Sequence, residues 1–272
     1  MLKIANTMKW QGNGTMHKIG IFNWYGYVEP FEKRVEQIKK AGYDHLMLWW
    51  EDESYPKHID RRDFIKIVKS YDLNLDNIHL PSEGINTLWS DGMDRIKKID
   101  EIRKWMDECK ESGAETVVLH PTNGIGITLI NSMGYKSFEK IIYEAEDIKL
   151  KVAIENTRML NYLEFIFEEF KSDFAGLCYD SSHDFINGQS CGDILEKWKD
   201  RLFCVHLSDC DGIDDRHWIP GKGIVDWDKI IPIIKESDCK RFSMETYPYE
   251  SEKELSSLEF IEKAREGILK LL

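Results

Sequence analysis

The sequence predicts a closed (β/α)8 barrel built as one domain over residues 1–272, and three observations predict it. Eight short apolar, β-rich runs alternate with longer amphipathic runs along the whole chain. No Pro/Ser-rich linker and no change of composition divides the 272 residues. Eight strand–helix units in roughly 250 residues are what barrel closure requires. The alternative, a doubly wound open sheet, is the weaker reading because no strand runs into a Gly-x-Gly-x-x-Gly phosphate turn.

The strands are expected at 17–23 (HKIGIFN), 45–50 (HLMLWW), 75–80 (LDNIHL) and 116–121 (TVVLHP). Four more follow at 151–156 (KVAIEN), 175–180 (AGLCYD), 203–208 (FCVHLS) and 241–246 (RFSMET). Each is about six residues of mostly Ile, Val, Leu and Phe, the composition of a strand buried on both faces. Between them, FEKRVEQIKKAG places apolar residues at helical spacing and stops at Gly42. MDRIKKIDEIRKWMDECKESG does the same and stops at Gly113. DWDKIIPIIKESD opens on an aspartate suited to the N-cap, with Pro232 inside it as a source of a kink or a shifted first turn. KELSSLEFIEKAREGILKLL closes the chain. Residues 1–16 are expected to form an N-terminal arm or a short extra strand.

Composition narrows the function classes. The 42% apolar and 32% charged fractions are those of a globular chain rather than a disordered one. No apolar run approaches the ~18 residues of a membrane span, and MLKIANTMKWQGNGTMHK contains no secretory h-region. The six cysteines are scattered without a Cys-x-x-Cys pair, as expected of reduced thiols, so a cytoplasmic location is expected. A net charge of −12 argues against broad nucleic-acid binding. The expected partner is a small molecule, with self-association into a homo-oligomer left open.

Barrel chemistry sits at the C-terminal ends of the strands. There the sequence places His79, His120, Glu155, Asp180, His206 and Glu245 on six consecutive strands, with His183, Asp215 and His217 in the following loops. A lone histidine or carboxylate at a strand end is ordinarily a hydrogen-bonded structural group or a helix cap. The joint pattern is different. Five of the eight histidines fall at one end, and inward carboxylates repel one another unless a cation neutralises them. Mixed imidazole and carboxylate ligands suit Zn, Mn or Co. Trp24, Trp50, Trp89 and Trp218 follow strands 1, 2, 3 and 7, where they would stack on a sugar ring or simply pack the loops. Arg216 is a candidate for gripping a phosphate or carboxylate, or for pairing with a nearby aspartate, and Lys222, between two glycines, is a candidate for holding an anion or substrate hydroxyl.

The segments IENT, CYDSSH, VHLSD, DRHWIPGKGIVDW and METYP resemble those of the xylose isomerase-like TIM barrels. This superfamily includes sugar (and sugar phosphate) isomerases and epimerases and the endonuclease IV type of abasic-site nuclease. The resemblance covers strands 3 to 8. In the isomerase branch it implies that Glu155, Asp180, His206 and Glu245 hold one divalent metal. Glu155 and Glu245 would then move protons through a metal-stabilised enediolate, His183 would hydrogen-bond a substrate oxygen, and Arg216 would hold the far end. In the nuclease branch it implies that His79, His120, His183, Asp215 and His217 join as further ligands, for up to three ions and phosphodiester hydrolysis at abasic DNA. HPTNGIG, ENTRMLN and CYDSSHDFING depart from the nuclease pattern, whereas DRHWIPGKG is close to it. The favoured expectation is a metal-dependent isomerase or epimerase of carbohydrate metabolism, acting on a sugar or polyol. The nuclease is the alternative, and a metal-binding barrel without catalysis is a third, weaker reading.

Overall fold

The computed structural model describes residues 17–125, 129–188 and 190–272, and the expected arm at 1–16 lies outside them. Eight strands appear in the expected order: β1 Lys18–Phe22, β2 His45–Trp49, β3 Asn74–His79 and β4 Thr116–Leu119, then β5 Lys151–Glu155, β6 Ala175–Asp180, β7 Leu202–His206 and β8 Arg241–Met244. All ladders are parallel, in the order β7-β6-β5-β4-β3-β2-β1-β8. The remaining gap closes through a parallel bridge between Leu207 and Met244. Leu207 N–H donates to Ser243 O at 2.9 Å, and Glu245 N–H donates to Leu207 O at 3.1 Å. The sheet is therefore a (β/α)8 barrel, as the alternation of runs predicts.

The helices are α1 Phe31–Lys40, α2 Phe64–Ser70, α3 Met93–Ser112, α4 Ser132–Ile148, α5 Leu160–Glu169, α6 Ser181–Asn187, α7 Asp193–Trp198, α8 Trp227–Glu236 and α9 Ser257–Leu271. The punctuation read from the sequence has the expected physical form. Gly42 and Gly113 adopt φ of 84° and 94°, the left-handed conformation that ends a helix and that only glycine enters freely. Asp226 accepts from the Lys229 N–H at 3.3 Å as the N-cap of α8, and the helix continues through Pro232.

Several strands stop one or two residues short of their expected ends. β2 ends at Trp49, β4 at Leu119 and β8 at Met244. This places His120 and Glu245 just past their strands. It also fixes which of two adjacent tryptophans faces inward, because successive side chains point to opposite faces. Trp49 turns into the barrel and stacks on His79, with ring centroids 4.8 Å apart. Trp50 points outward into the core between barrel and helices. It is fully buried there, and its Nε1–H donates to Glu108 Oε2 at 3.2 Å.

Trp89 is likewise a core residue. Its ring meets Tyr162 edge-on at 4.5 Å, and its Nε1–H donates to Pro121 O at 2.8 Å. The expectation that Trp50 and Trp89 stack on substrate is thus corrected: both are sealed behind the barrel wall. Trp89 also requires Gly134 on α4, since a Cβ there would sit 1.9 Å from its ring. Gly134→Ala, which in an open helix would gain about 1 kcal/mol, is expected instead to destabilise by about 1–3 kcal/mol or more through overpacking. Urea unfolding checks this: the midpoint should fall with little change of slope, and an unchanged or raised midpoint would contradict the packing.

Candidate metal centre and substrate cleft

The inward residues at the C-terminal ends of β3 to β8 converge on Glu155, which is 2% exposed. Its Oε2 lies 3.0 Å from His79 Nε2, 3.1 Å from His120 Nε2 and 3.7 Å from His206 Nδ1. Its Oε1 lies 3.5 Å from His183 Nδ1. Glu245 approaches the same His206 nitrogen, with Oε2 at 3.3 Å from Nδ1. Candidate ligand atoms of Glu155, Asp180 and His206 lie within 4.8 Å of one another, and so do those of His79, His120 and Glu155. A third group completes the picture: Asp215 Oδ2 is 3.1 Å from both His183 Nε2 and His217 Nε2.

Each group is held by its neighbours. Asn156 pins the end of β6 to that of β5: its side chain donates to Asp180 O at 2.8 Å and accepts from Asp180 N–H at 2.7 Å. Ser181 and Ser208 tie β6 to β7, with Ser181 Oγ donating to Ser208 O at 2.7 Å. Asn77, fully buried on β3, faces His206 Nε2 with its Oδ1 at 3.4 Å. If Nε2 carries the ring proton toward that oxygen, the Nδ1 lone pair is turned toward the two glutamates. This is the orientation a metal-binding imidazole needs from its outer partner.

Asp209 organises the loop that supplies Asp215 and His217. Its backbone forms a two-way bridge with Trp218, at 2.8 and 2.9 Å. Its carboxylate accepts from the N–H groups of Cys210, Gly221 and Val225 and from Trp227 Nε1. The loop is also under conformational demand, because His217 has φ of 50°, in the left-handed region. Asn77, Ser208 and Asp209 were not singled out from the sequence. The signal, a buried polar residue interrupting an apolar strand or directly following its end, is present in DNIH and HLSD.

Two observations indicate that these residues suit a cation. Asp180 Oδ2, His206 Nδ1 and His183 Nδ1 are buried polar atoms without a hydrogen-bond partner. Such atoms are costly to leave unsatisfied, and they lie among carboxylates. The electrostatics agree. Burial raises the Asp180 carboxyl, aided by Asp215 and Glu155 against His183, to about 7. Burial works against a charged His206, yet Glu155 and Glu245 lift it to about 10. His217 is lifted to about 9 against its burial, by Asp215 and Glu245. The same opposition leaves Glu155 well below its ordinary range, through His120 and His206. Burial lowers His120 despite Glu155. The carboxylates thus draw protons onto imidazoles, and a divalent ion competes for those same lone pairs.

Beside the cluster a cleft of about 310 Å³ opens over β1, β2 and β8. Its lining includes Trp24, Trp49, Glu51, Arg34, Glu245 and Tyr247. Trp24 is 37% exposed and stands where a ring could stack. Trp49, overlooked in favour of its neighbour Trp50, shares that wall. Trp218 is elsewhere, tilted against Tyr249 at 4.7 Å. Arg216 is exposed in the loop after β7 and is engaged by Asp211 at 2.9 Å and Asp214 at 3.4 Å. Neither Trp218 nor Arg216 belongs to the cleft lining, which instead includes Trp49 and Tyr247.

This fold and this arrangement define a class. Residues 35–267 match the xylose isomerase-like TIM barrel family, and the chain belongs to it. Among curated proteins it is similar to y4fM of Sinorhizobium fredii, 26% identical over 257 aligned positions and covering 80% of each chain. Among solved structures it is similar to an L-ribulose 3-epimerase, with a TM-score of 0.74 at 17% identity over 94% of this chain and 95% of the other. It also resembles the IolI protein with a bound zinc atom, with a TM-score of 0.72 at 20% identity over 93% and 97%. No helix among the described residues is long and apolar enough to cross a membrane.

Proposed function

We propose that the protein is a divalent-metal-dependent isomerase or epimerase of a sugar or related polyol, acting by proton transfer next to a carbonyl. One observation carries the reading. Two glutamates, Glu155 and Glu245, approach the same imidazole nitrogen from different strands, at 3.7 and 3.3 Å, and Glu245 also lines the adjoining cleft. Family membership and the resemblance to an epimerase and to a zinc-binding protein support the same reading.

Glu155, Asp180, His206 and Glu245 are the residues suited to hold the ion, whose contribution would be to polarise a carbonyl and acidify the neighbouring C–H. The chain's own groups account for the rest. Glu245, at the cleft wall, is placed to accept or return the carbon-bound proton on one side of the substrate. Glu155, buried beneath, does so on the other. Transfer between opposite faces inverts the carbon. His183, lifted well above its ordinary pKa by Asp180 and Asp215 against its burial, carries a proton it can donate to a substrate oxygen. Trp24 and Trp49 offer apolar faces to the ring and restrict water on that side.

The direct test is solvent-deuterium incorporation into fructose, tagatose and psicose with metal-loaded protein. Exchange at a single carbon is expected. No exchange in any sugar of a broad panel would defeat the proton-transfer reading. A second reading, metal-dependent phosphodiester hydrolysis at abasic DNA, draws on the His79–His120–Glu155 and His183–Asp215–His217 groups, which could hold further ions. It is disfavoured by the net charge of −12. A low-salt nicking assay on an abasic duplex separates the two, and robust cleavage would reverse their order.

A further inference from the structure

We infer that the cleft selects an uncharged polyol and rejects its phosphate ester, and that Glu51 at its mouth sets this preference. The inference rests on the sugar-handling reading of the site. Four carboxylates line the cleft, Glu51, Asp52, Glu53 and Glu245, against one described cation, Arg34.

Arg34 is only 1% exposed, and its donors are already used. Its Nε–H donates to Asn23 O at 3.0 Å, and its Nη1 donates to Glu53 Oε1 at 3.1 Å and also to Glu29 O. Its Nη2 donates to the other Glu53 oxygen. A guanidinium fork is the group that would grip a phosphate with two parallel bonds, and here Glu53 occupies that fork.

The other carboxylates differ in what offsets them. Asp52 lies 3.7 Å from the Arg61 guanidinium and accepts from the Arg61 N–H at 3.0 Å. Glu245 lies beside His206 at 3.3 Å. Glu51 is exposed and has no ion-pair partner among the described residues, so its charge is the one an incoming ligand meets.

Cations elsewhere on the rim do not supply a substitute. Arg216 is held by Asp211 and Asp214, Arg158 lies 3.9 Å from Asp214, and Lys222 lies 4.0 Å from Glu252. In barrels of this type a phosphate is frequently bound at a helix N-terminus after the last strands. Here both the short 3-10 turn after β8, Glu250–Glu252, and the following α9 are capped from within: Tyr249 N–H donates to Glu252 Oε2 at 3.2 Å, and Ser256 N–H donates to Glu259 Oε2 at 2.8 Å. A dianion would therefore enter without a donor set and against an uncompensated negative charge.

The test is calorimetric titration of metal-loaded protein with fructose, tagatose and psicose, and with their 6-phosphates, at low salt. The esters are expected to bind at least about tenfold more weakly than the free sugars, a factor that shrinks as salt is raised. Glu51→Gln should narrow the ratio and Glu51→Lys should narrow or invert it, while circular dichroism confirms that both variants remain folded. Equal or tighter binding of the esters by the wild-type protein would overturn the inference. So would a ratio unmoved in both variants, or no binding of either class. Because binding is read without turnover, a protein that prefers free sugars but exchanges no proton would leave the charge selection standing and remove only the proton-transfer reading.

Discussion

Glu245→Gln is expected to abolish carbon-bound proton exchange, by about 10²-fold or more, while leaving the barrel folded. The amide keeps the size of the side chain and an oxygen toward His206, but it cannot hold a proton as a carboxylic acid at neutral pH. If Glu245 serves only as a ligand, the variant should lose metal affinity and activity together. If it is the base, exchange falls with the site still loaded. Metal content measured alongside exchange distinguishes the two, and retention of near-wild-type exchange would remove Glu245 from the chemistry. Glu155→Gln is expected to be harsher, because this carboxylate lies within 3.0–3.7 Å of His79, His120 and His206. An amide there leaves clustered imidazoles without their shared counter-charge.

Metal removal is the second large effect. Carefully desalted protein is expected to carry at least one divalent ion, and chelation should lower the melting temperature. Adding back Mn, Zn or Co at about 100 times the dissociation constant should restore about 2.7 kcal/mol of stability. Asp180→Ala should lose most of this stabilisation, since it deletes a fully buried oxygen donor. The stoichiometry has its own meaning. One ion fits the four-residue set, whereas two or three would draw in His79, His120 and the Asp215 pair. No stoichiometric metal, together with no thermal response to any of the three ions, would sink the metal centre.

The barrel was legible in the sequence because a strand buried on both faces must be apolar along its length, and eight such runs leave few arrangements. The rim residues were legible for a related reason. A histidine or carboxylate that ends an apolar run has few places to point except the barrel mouth. What escaped reading depended on single-residue register. Trp49 and Trp50 are adjacent in HLMLWW, and one step of alternation separates the cleft wall from the outer core. Arg34 lies in the amphipathic run FEKRVEQIKKAG, where nothing local marks it, yet it is buried at the cleft and paired with a glutamate 19 positions away. Trp89 followed its strand as expected, but a 3-10 turn at Ile85–Trp89 rolls it under α4. Such reversals are set by tertiary packing, which no local pattern encodes.

The closing seam of the barrel has a consequence for how the protein comes into being. His206 and Glu245 stand on either side of it, at the ends of the two strands joined through Leu207 and Met244. A chain emerging from the ribosome would present Glu155, Asp180 and His206 before Glu245. An ion captured early would be gripped loosely, by three groups on an open, unfinished sheet. Arrival of the eighth strand would bring the fourth group and bolt the first and last parts of the barrel together in the same event. Under the proposed function, catalytic competence would then be a certificate of completed assembly, because a partly built molecule would lack Glu245, the carboxylate proposed to move the proton.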